Sequence, residues 1–261
     1  MDILVCVKRV PDMSENEIEI KGNDIDRDDL VYSINEADNY AVEEAIQIRD
    51  RVGGTVTVIT VGGEDDEEVL RRQMAMGANQ GVLVSDETFA GSDGAGIAAI
   101  LKAYVEKNHF DLILAGVQAD DGCAQVGGML AALLDYPFAS LVNSIEVIEG
   151  GKLKIGREIE GGNREISEID LPCVLSVQTG INEPRYVGMR GIQKVASAKI
   201  PVFGAGELGI AGGTVGKDGA KVTRLDYFIP AVGAGAEILS GSREEMIDKV
   251  IELVRSNGGL K

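Results

Sequence analysis

Short apolar runs alternate with helical patterns through the first half of the chain, and this alternation limits the possible folds more than any other feature. The runs cover residues 3–7, 55–61, 81–84 and 112–115 and are rich in Val, Ile and Leu. Continuous runs of this length are typical of strands covered on both faces. Apolar residues at helical spacing follow each run, at 39–51, 67–76, 97–105 and 126–134. This repetition predicts an α/β fold with a twisted, mostly parallel sheet.

The pattern changes after Pro137. Residues 144–148, 152–160 and 164–170 alternate polar and apolar side chains, and Gly-Gly pairs at 150–151 and 161–162 separate them. Such alternation with glycine turns predicts an antiparallel hairpin extension, which we expect at an edge of the sheet. The run at 172–177 then returns to the composition of a buried strand.

The chain from about 201 to 230 is rich in glycine and lacks sustained periodicity. Such a segment buries too little apolar surface to fold alone, so we expect an extended arm. A helix follows, because Ser242 and Glu245 have the spacing of a capping box. The sequence therefore predicts a domain at 1–200 and a C-terminal arm with a terminal helix at 201–261, which wraps a partner subunit.

Charge and composition exclude several functions. The net charge is −18, which argues against nucleic acid or an anionic membrane surface as partner. No apolar run approaches the roughly 20 residues of a membrane span, and the first apolar run is too short for a secretion signal. Cys6, Cys123 and Cys173 have no metal-ligand spacing. We therefore expect no zinc site and no disulfide framework, and a reducing cytoplasm is favoured.

The inventory of catalytic side chains is poor. His109 is the one histidine in the sequence, and we expect it in a surface loop. Hydrolytic triads in their usual form are excluded, because no Ser–His or Cys–His pairing is available.

The loop at 116–128 is the most suggestive candidate site. In an open parallel sheet, ligands bind beyond the carboxyl ends of strands, where the strand order reverses. This loop follows a strand, passes small residues and enters a helix near Gln125. Small residues allow a ligand close to the backbone, and a helix start can hold a phosphate. The pattern alone fits a nucleotide site and a flexible acidic surface loop equally well.

The charges around this loop specify how it would bind a nucleotide. No Lys or Arg occurs between Lys107 and Lys152, so backbone amides would hold any phosphate, with help from Lys8 or Arg9. Asp120 and Asp121 would repel phosphate, and we expect at least one of them on ribose hydroxyls. The loop matches neither a Walker sequence nor a GxGxxG pattern.

Several segments in order resemble the beta subunits of electron transfer flavoproteins. They are GVQADDGCAQVGG at 116–128, VCVKRVPD at 5–12, NEADNYAVEEA at 35–45, AMGAN at 75–79, REIEGG at 157–162 and NEPRY at 182–186. The resemblance covers nearly the whole chain. It implies a sheet of the adenine-nucleotide alpha-hydrolase-like type and a heterodimer with an alpha subunit that carries FAD.

The resemblance also implies a nucleotide bound by this chain itself, which is AMP in most relatives and a second FAD in electron-bifurcating ones. The positions that correspond to cofactor-binding positions of the family are Cys6, Lys8, Asn35, Glu36, Ala37, Asp38, Val61, Gly62, Gly116, Gln118, Asp120, Asp121, Gly122, Cys123, Ala124, Gln125, Val126 and Gly127.

Two further residues correspond to partner-docking positions of the family. Glu158 matches a glutamate that contacts the flavin domain of the alpha subunit. Met189 lies in a stretch at 182–195 that is similar to the loop that docks acyl-CoA dehydrogenases, and it falls on the anchoring apolar position. A flexible, polarizable Met suits such an anchor. The alternative is a Met packed in this chain's own core.

The chain departs from the family pattern at several points. Glu36 replaces a common Pro, Ala37 stands where relatives carry an aromatic residue, and Met13 stands where some place a tyrosine against the flavin. The sequence AQVG at 124–127 is similar to bifurcating and FixA-like relatives, whereas Gly62-Gly63 differs from the turn common among them. AMP and a second FAD both remain open.

Three functions are therefore compared. The first is a redox carrier subunit without catalytic residues of its own, which works between a dehydrogenase and the FAD of a heterodimer. The second is a bifurcating component in which NADH reduces a second FAD. The third, a nucleotide-binding module of the universal-stress-protein type, would end near residue 140 and lack the hairpins and the NEPRY segment.

Overall fold

The computed structural model describes residues 1–119, 122–231, 233, 235–236 and 238–259. The strands are β1 Asp2–Cys6, β2 Arg9–Pro11, β3 Ile20–Lys21, β4 Asp24–Ile25, β5 Tyr32–Ile34, β6 Thr55–Val61, β7 Gln80–Val84, β8 Leu112–Gly116, β9 Phe138–Ile148, β10 Lys152–Ile159, β11 Asn163–Asp170, β12 Cys173–Val177 and β13 Val202–Phe203. The α-helices are α1 Glu36–Val52, α2 Glu67–Met76, α3 Gly94–Val105, α4 Val126–Leu134, α5 Met189–Val195, α6 Ala205–Leu208, α7 Gly216–Gly219 and α8 Arg243–Ser256.

One nine-stranded sheet organises the fold, in the order β11-β10-β9-β12-β8-β1-β6-β7-β13. The strands from β9 to β13 in this order pair in parallel. Strands β10 and β11 pair antiparallel at one edge. The predicted α/β fold, with a mostly parallel sheet and an antiparallel hairpin extension, is confirmed.

Helices cover both faces of the parallel strands, which explains the continuous apolar runs. Along β1, Ile3 and Val5 pack with the buried side chains of α1 and α2. Leu4 points to the opposite face and packs with those of α3 and α4. Because neighbouring strand residues alternate between the faces, each residue of the run must be apolar.

The strand order reverses between β1 and β8. From β1 the chain moves outward to β6 and β7 on one side, and it then returns to place β8 and β12 on the other side. The connections that follow β1 and β8 therefore leave the sheet in different directions. This geometry opens a crevice beyond their carboxyl ends, which is where open α/β sheets bind ligands.

The segment after residue 200 departs from the predicted arm. Val202 and Phe203 form β13, the edge strand of the nine-stranded sheet, which pairs with β7. Further along, the Asp93 carboxylate accepts hydrogen bonds from the N–H groups of Lys221 and Val222. The compact first unit consists of Met1–Ile18 and Asp26–Leu225, so the domain continues past the expected boundary at 200. Acidic side chains and a short strand form hydrogen bonds with the backbone of this segment. Neither kind of contact produces a hydrophobic periodicity that could be recognised in the sequence.

The second unit consists of Glu19–Ile25 and Asp226–Lys261. It contains the β3-β4 hairpin and helix α8, whose predicted capping box between Ser242 and Glu245 is present. No residue of α8 is buried, although Ile247, Val250 and Leu253 repeat at the spacing of an apolar face.

Smaller expectations can be compared directly. His109 is exposed in the loop after α3, as predicted. All three cysteines are free, with Cys173 buried, Cys6 partly buried and Cys123 exposed. Across the described ranges, the helices are too short or too polar to span a membrane.

Replacing Gly216 by Ala should detach the 201–225 segment. Gly216 has a φ of +71°, and a Cβ there would lie 2.1 Å from the Thr88 carbonyl oxygen. The left-handed conformation alone costs about 1–2 kcal/mol in a non-glycine residue. We expect at least that loss in the free energy of unfolding by urea, together with faster proteolysis of the segment. Gly212→Ala is the control, since a Cβ at Gly212 meets nothing within 4 Å. Equal stability of the two variants would contradict this packing.

Candidate functional site

The carboxyl ends of β1 and β8 lie side by side at the reversal of strand order. Cys6, the last residue of β1, pairs with Ala115 in the register of the two strands. The chain continues from β1 into Lys8 and from β8 into Gly116 and Gln118. The sheet therefore brings together two of the predicted loops.

A buried carboxylate at the start of α1 connects the two loops. Asp38 Oδ2 accepts a hydrogen bond of 2.8 Å from the Lys8 N–H, and Oδ1 accepts one of 3.0 Å from the Gly116 N–H. One side chain thus holds the backbone at the ends of both strands. We call this arrangement the Asp38 clamp.

Asn35, the residue before α1, adds a second connection. Its side-chain amide donates to the Gln118 carbonyl at 3.0 Å, and its backbone N–H donates to the Lys8 carbonyl at 2.9 Å. The start of α1 therefore fixes both loops through main-chain atoms. This explains why Asn35 and Asp38 are buried even though they are polar.

Glycine is required at position 116 because the clamp approaches the backbone closely. A Cβ at Gly116 would lie 2.3 Å from Asp38 Oδ1 and 2.8 Å from the Ala37 Cβ. Gly116 was predicted as a site residue for close approach of a ligand. The structure shows that its first contact is with α1 of the same chain.

Burial dominates the protonation of the clamp. It raises the pKa of Asp38 from 3.8 to about 7, against hydrogen bonds from Asn35, Lys8 and Gly116 that favour the ionised form. Burial, together with the nearby Asp38 charge, also raises the pKa of the Cys6 thiol to about 12. Cys6 therefore remains a neutral thiol near physiological pH and is no nucleophile.

The loop after β8 ends at a helix start that no side chain caps within the described part of the chain. Ala124 has a φ of +54°, an unusual conformation for a residue with a Cβ. Gln125 then precedes α4 and makes no capping hydrogen bond. The first N–H groups of a helix have no partner inside the helix. These amides, with the positive end of the helix dipole, can hold an anionic group.

The start of α4 is pressed against the sheet at Gly127. A Cβ there would lie 2.6 Å from Ser176 Oγ on β12. Gly127 is thus a packing glycine that brings the helix start close to the strand ends. Ser176 is a site-forming residue that the sequence patterns did not indicate, because it sits inside an apolar strand.

The basic residues beside the crevice are differently placed. Lys8 is exposed, whereas the Arg9 guanidinium lies 4.1 Å from the Tyr32 ring centroid and 3.9 Å from Asp65. The cation–π contact orients Arg9 toward its own chain.

The structure gathers most of the predicted cofactor-binding residues at this edge. Val61 is the last residue of β6, the strand next to β1. Gly62 follows it, and a Cβ added at Gly62 would lie 2.1 Å from Asp66 Oδ2. Glu36 is exposed and Ala37 buried at the start of α1. Asp120 and Asp121 lie outside the described residues. The remaining predicted positions of the loop, which are described, are Gln118, Gly122, Cys123 and Val126.

The two predicted docking residues lie away from the crevice. Glu158 is exposed on β10, which β9 and β12 separate from β8. Met189 begins α5, a helix beside α2, and its side chain is 71% exposed. The alternative of a Met packed in the core is therefore excluded.

Comparison with known proteins identifies relatives across the whole chain. Residues 23–208 match the family described as electron transfer flavoprotein domain. An electron transfer flavoprotein subunit beta of Thermoanaerobacterium thermosaccharolyticum is 36% identical over 258 residues, 98% of each chain. The Bacillus subtilis subunit is 35% identical over 260 residues, again 98% of each chain. The caffeyl-CoA reductase-Etf complex subunit CarD of Acetobacterium woodii is 36% identical over 245 residues, 93% of each.

Replacing Asp38 by Asn should remove a pH-dependent loss of stability. The pKa of Asp38 is about 7 in the folded chain against an ordinary 3.8, so the folded state binds more protons between these values. Wild-type stability therefore falls as pH rises through this range. In urea unfolding at a series of pH values, the free energy of unfolding of D38N minus that of the wild type should rise from pH 5 to about pH 7 and then stay constant.

The matched control for this pH series is Asp170→Asn, which removes an exposed carboxylate at the end of β11. The same substitution at this exposed position controls for the loss of a carboxylate as such, and its difference from the wild type should not vary with pH. If the difference between D38N and the wild type does not vary with pH, ionisation of Asp38 in the folded chain costs little free energy. Burial then does not dominate the protonation of Asp38.

Proposed function

This chain belongs to the electron transfer flavoprotein family as a beta subunit, and we propose that it binds an adenine nucleotide at the crevice between β1 and β8. In this proposal it pairs with an alpha subunit that carries FAD. The heterodimer passes electrons between that FAD and a dehydrogenase. Flavin supplies the redox chemistry, and this chain supplies orientation, electrostatics and docking.

The observation that carries the nucleotide proposal is the uncapped start of α4 at the reversal of strand order. Phosphate is the ligand group that best fits unpaired backbone amides at a helix start. The loop and the first turn of α4 contain no Lys or Arg. Backbone amides therefore carry most of the phosphate binding, with Lys8 as the nearest exposed cation among the predicted positions.

The Asp38 clamp would act on the nucleotide indirectly. Both of its carboxylate oxygens accept main-chain hydrogen bonds from the two loops. Its role is then to hold the loop backbone in the geometry that the phosphate and ribose require. For Asp120 and Asp121 we keep the ribose role that the sequence indicates.

The identity of the nucleotide distinguishes two candidate functions. With AMP, this site is structural and the chain is a carrier subunit. With a second FAD, the site would accept a hydride from NADH, and the heterodimer would bifurcate electrons. The sequence AQVG at 124–127 favours the second function, because it is similar to the form in bifurcating relatives.

The alpha subunit is proposed to cover the exposed apolar residues of the second unit. Phe228, Ile229 and Ile238 are exposed, and α8 buries none of its residues within this chain. The apolar face of α8 and the apolar side chains of the segment before it become more stable when a partner removes them from water. Glu158, exposed on β10, is assigned to the contact with the alpha subunit's flavin domain.

Met189 is proposed as the anchor for a dehydrogenase. It is exposed, flexible and unbranched, and it stands at the first position of a short helix. Acyl-CoA dehydrogenases are the partner class that the family resemblance indicates. Insertion of Met189 into an apolar pocket would bury most of its side chain and supply a central contact of the docking surface.

Gly116→Ala should release the nucleotide of this chain. The new Cβ would overlap Asp38 Oδ1 and open the clamp. After dialysis, we expect the variant heterodimer to retain the alpha subunit's FAD. Its affinity for the nucleotide bound by this chain should fall at least about tenfold, which corresponds to about 1.4 kcal/mol. Chromatography of the nucleotides released by denaturation measures both. Gly206→Ala is the control, since a Cβ at Gly206 meets nothing within 4 Å.

The same chromatography on the wild-type heterodimer separates the two functions. One FAD and one AMP per heterodimer would assign the carrier function. Two FAD, with bleaching on addition of NADH, would assign the bifurcating one. A single FAD with no second adenine nucleotide would contradict the proposed site.

Met189→Ala should slow electron transfer with a dehydrogenase and leave nucleotide content unchanged. Truncation of a central anchor costs at least about 1.4 kcal/mol, which is tenfold in kcat/KM. The measurement is the rate of heterodimer reduction by an acyl-CoA dehydrogenase with its acyl-CoA substrate. Leu133→Ala truncates an exposed apolar side chain on α4 and serves as control. Unchanged kinetics for Met189→Ala would remove this residue from the docking surface.

A further inference from the structure

We propose that residues 182–199 form a fixed platform with an apolar centre and a basic rim, and that it fits an apolar pocket bordered by carboxylates on the partner protein. The inference rests on the docking role proposed for Met189. It adds the chemistry that the partner's surface must have. Three features of the platform lead to it, namely its anchorage, its exposed apolar side chains and its charges.

An ion pair between Arg185 and the buried Glu43 fixes the beginning of the platform to α1. The Arg185 guanidinium donates to both carboxylate oxygens of Glu43, at 2.8 and 2.9 Å, and the Arg185 N–H also donates to Glu43 at 3.2 Å. Glu43 is buried. Burial raises its pKa, but the hydrogen bonds from Arg185 and Gln47 outweigh this and hold the pKa below its usual value. A two-pronged charged contact of this kind fixes direction as well as distance.

Asn182 reinforces this anchor. Its side-chain amide donates to the Tyr40 carbonyl and to Glu44, each at 3.1 Å. Both partners are on α1, one turn apart. The start of the platform therefore has three polar connections to a helix that packs on the centre of the sheet.

Helix α2 holds the other end of the platform. The Arg71 guanidinium donates to the carbonyl groups of Val195, Ala196 and Ala198 at 2.8 to 3.2 Å. These carbonyls lie at the end of α5 and just after it, so Arg71 caps the helix. Gly191 brings α5 close to α2, because a Cβ at Gly191 would lie 2.7 Å from the Ala75 carbonyl oxygen.

Between the two anchors, large apolar side chains project into solvent. Tyr186 is 93% exposed, Met189 71% and Ile192 46%. Met189 and Ile192 are three residues apart on α5, so they lie on one side of the helix. Val195, at the end of the helix, is buried. Hydrogen bonds anchor the segment at both ends, so the exposure of these apolar side chains is not the result of poor packing of the segment.

The charge of the platform is opposite to that of the chain. Residues 182–199 contain four basic residues and one acidic residue, Glu183, in a protein with a net charge of −18. Arg185 is neutralised by Glu43, which leaves Arg190, Lys194 and Lys199. All three are exposed, and the ion pairs found in the described residues involve none of them.

These charges specify the partner. An apolar centre with a charged rim is the usual anatomy of a docking surface, and complementary charges at a rim accelerate encounter and select partners. Three exposed cations on the segment that carries Met189 call for acidic side chains around the pocket that receives it. A protein pocket with a basic rim, or an anionic membrane surface facing a chain of net charge −18, would not fit.

The test is the charge reversal Arg190→Glu with Lys194→Glu in the complete heterodimer. The probe is an acyl-CoA dehydrogenase that reduces the wild-type protein, with the heterodimer as varied substrate. At low salt, about 20 mM NaCl, we expect the KM for the heterodimer to rise about tenfold with kcat nearly unchanged. At about 300 mM NaCl the rise should shrink to about twofold, because salt screens exposed charges.

Lys107→Glu is the matched control, because it makes the same charge change at an exposed turn after α3. Its KM should stay within about twofold of the wild type at low salt. The proposal is overturned if the double variant shows no rise in KM, an equal rise at both salt concentrations, or a rise that Lys107→Glu matches. If Met189→Ala also leaves KM unchanged, the docking role itself is lost. If only Met189→Ala raises KM, docking stands and the basic rim is wrong.

Discussion

The carboxylate of Asp38 is the interaction on which the geometry of the candidate site depends. It joins the backbone of Lys8 to that of Gly116 across the reversal of strand order. Burial disfavours its charge, whereas the two N–H donors favour it. Burial prevails, so its pKa of about 7 lies far above that of an exposed carboxyl. The site is therefore held by a group whose protonation changes near neutral pH.

Helix α1 connects this site to the proposed docking platform. Its first turn carries Asp38, and Glu43 in the following turns holds Arg185 of the platform. Both contacts use buried carboxylates that accept hydrogen bonds from other segments. The acidic side chains of AVEEA at 41–45 are thus tertiary anchors. This accounts for the burial of three carboxylates, those of Asp38, Glu43 and Glu44, on one helix.

Most of the fold could be predicted because the strands are apolar on both faces and the helices have clear periodicity. Thr55–Val61 and Glu67–Met76 have the bounds that the pattern predicts, and Gly77 ends α2 in a conformation that suits glycine. The segment after 200 was harder to predict, because Asp86 and Asp93 order it through hydrogen bonds from the backbone amides of Ala205, Lys221 and Val222. Such contacts have no periodicity and join residues more than 100 positions apart.

The sequence by itself determined the parallel sheet and the hairpin extension. Local composition is sufficient for these features, because apolar periodicity acts within a few positions of the chain. Only the tertiary structure decided which contacts the polar residues make within the chain. Asp38 is predicted from the family resemblance as a cofactor contact, and in the fold its two oxygens hold the two loops. The physical reason is that a buried carboxylate takes its donors from whatever backbone the fold brings near, and the sheet order brings Lys8 and Gly116 together.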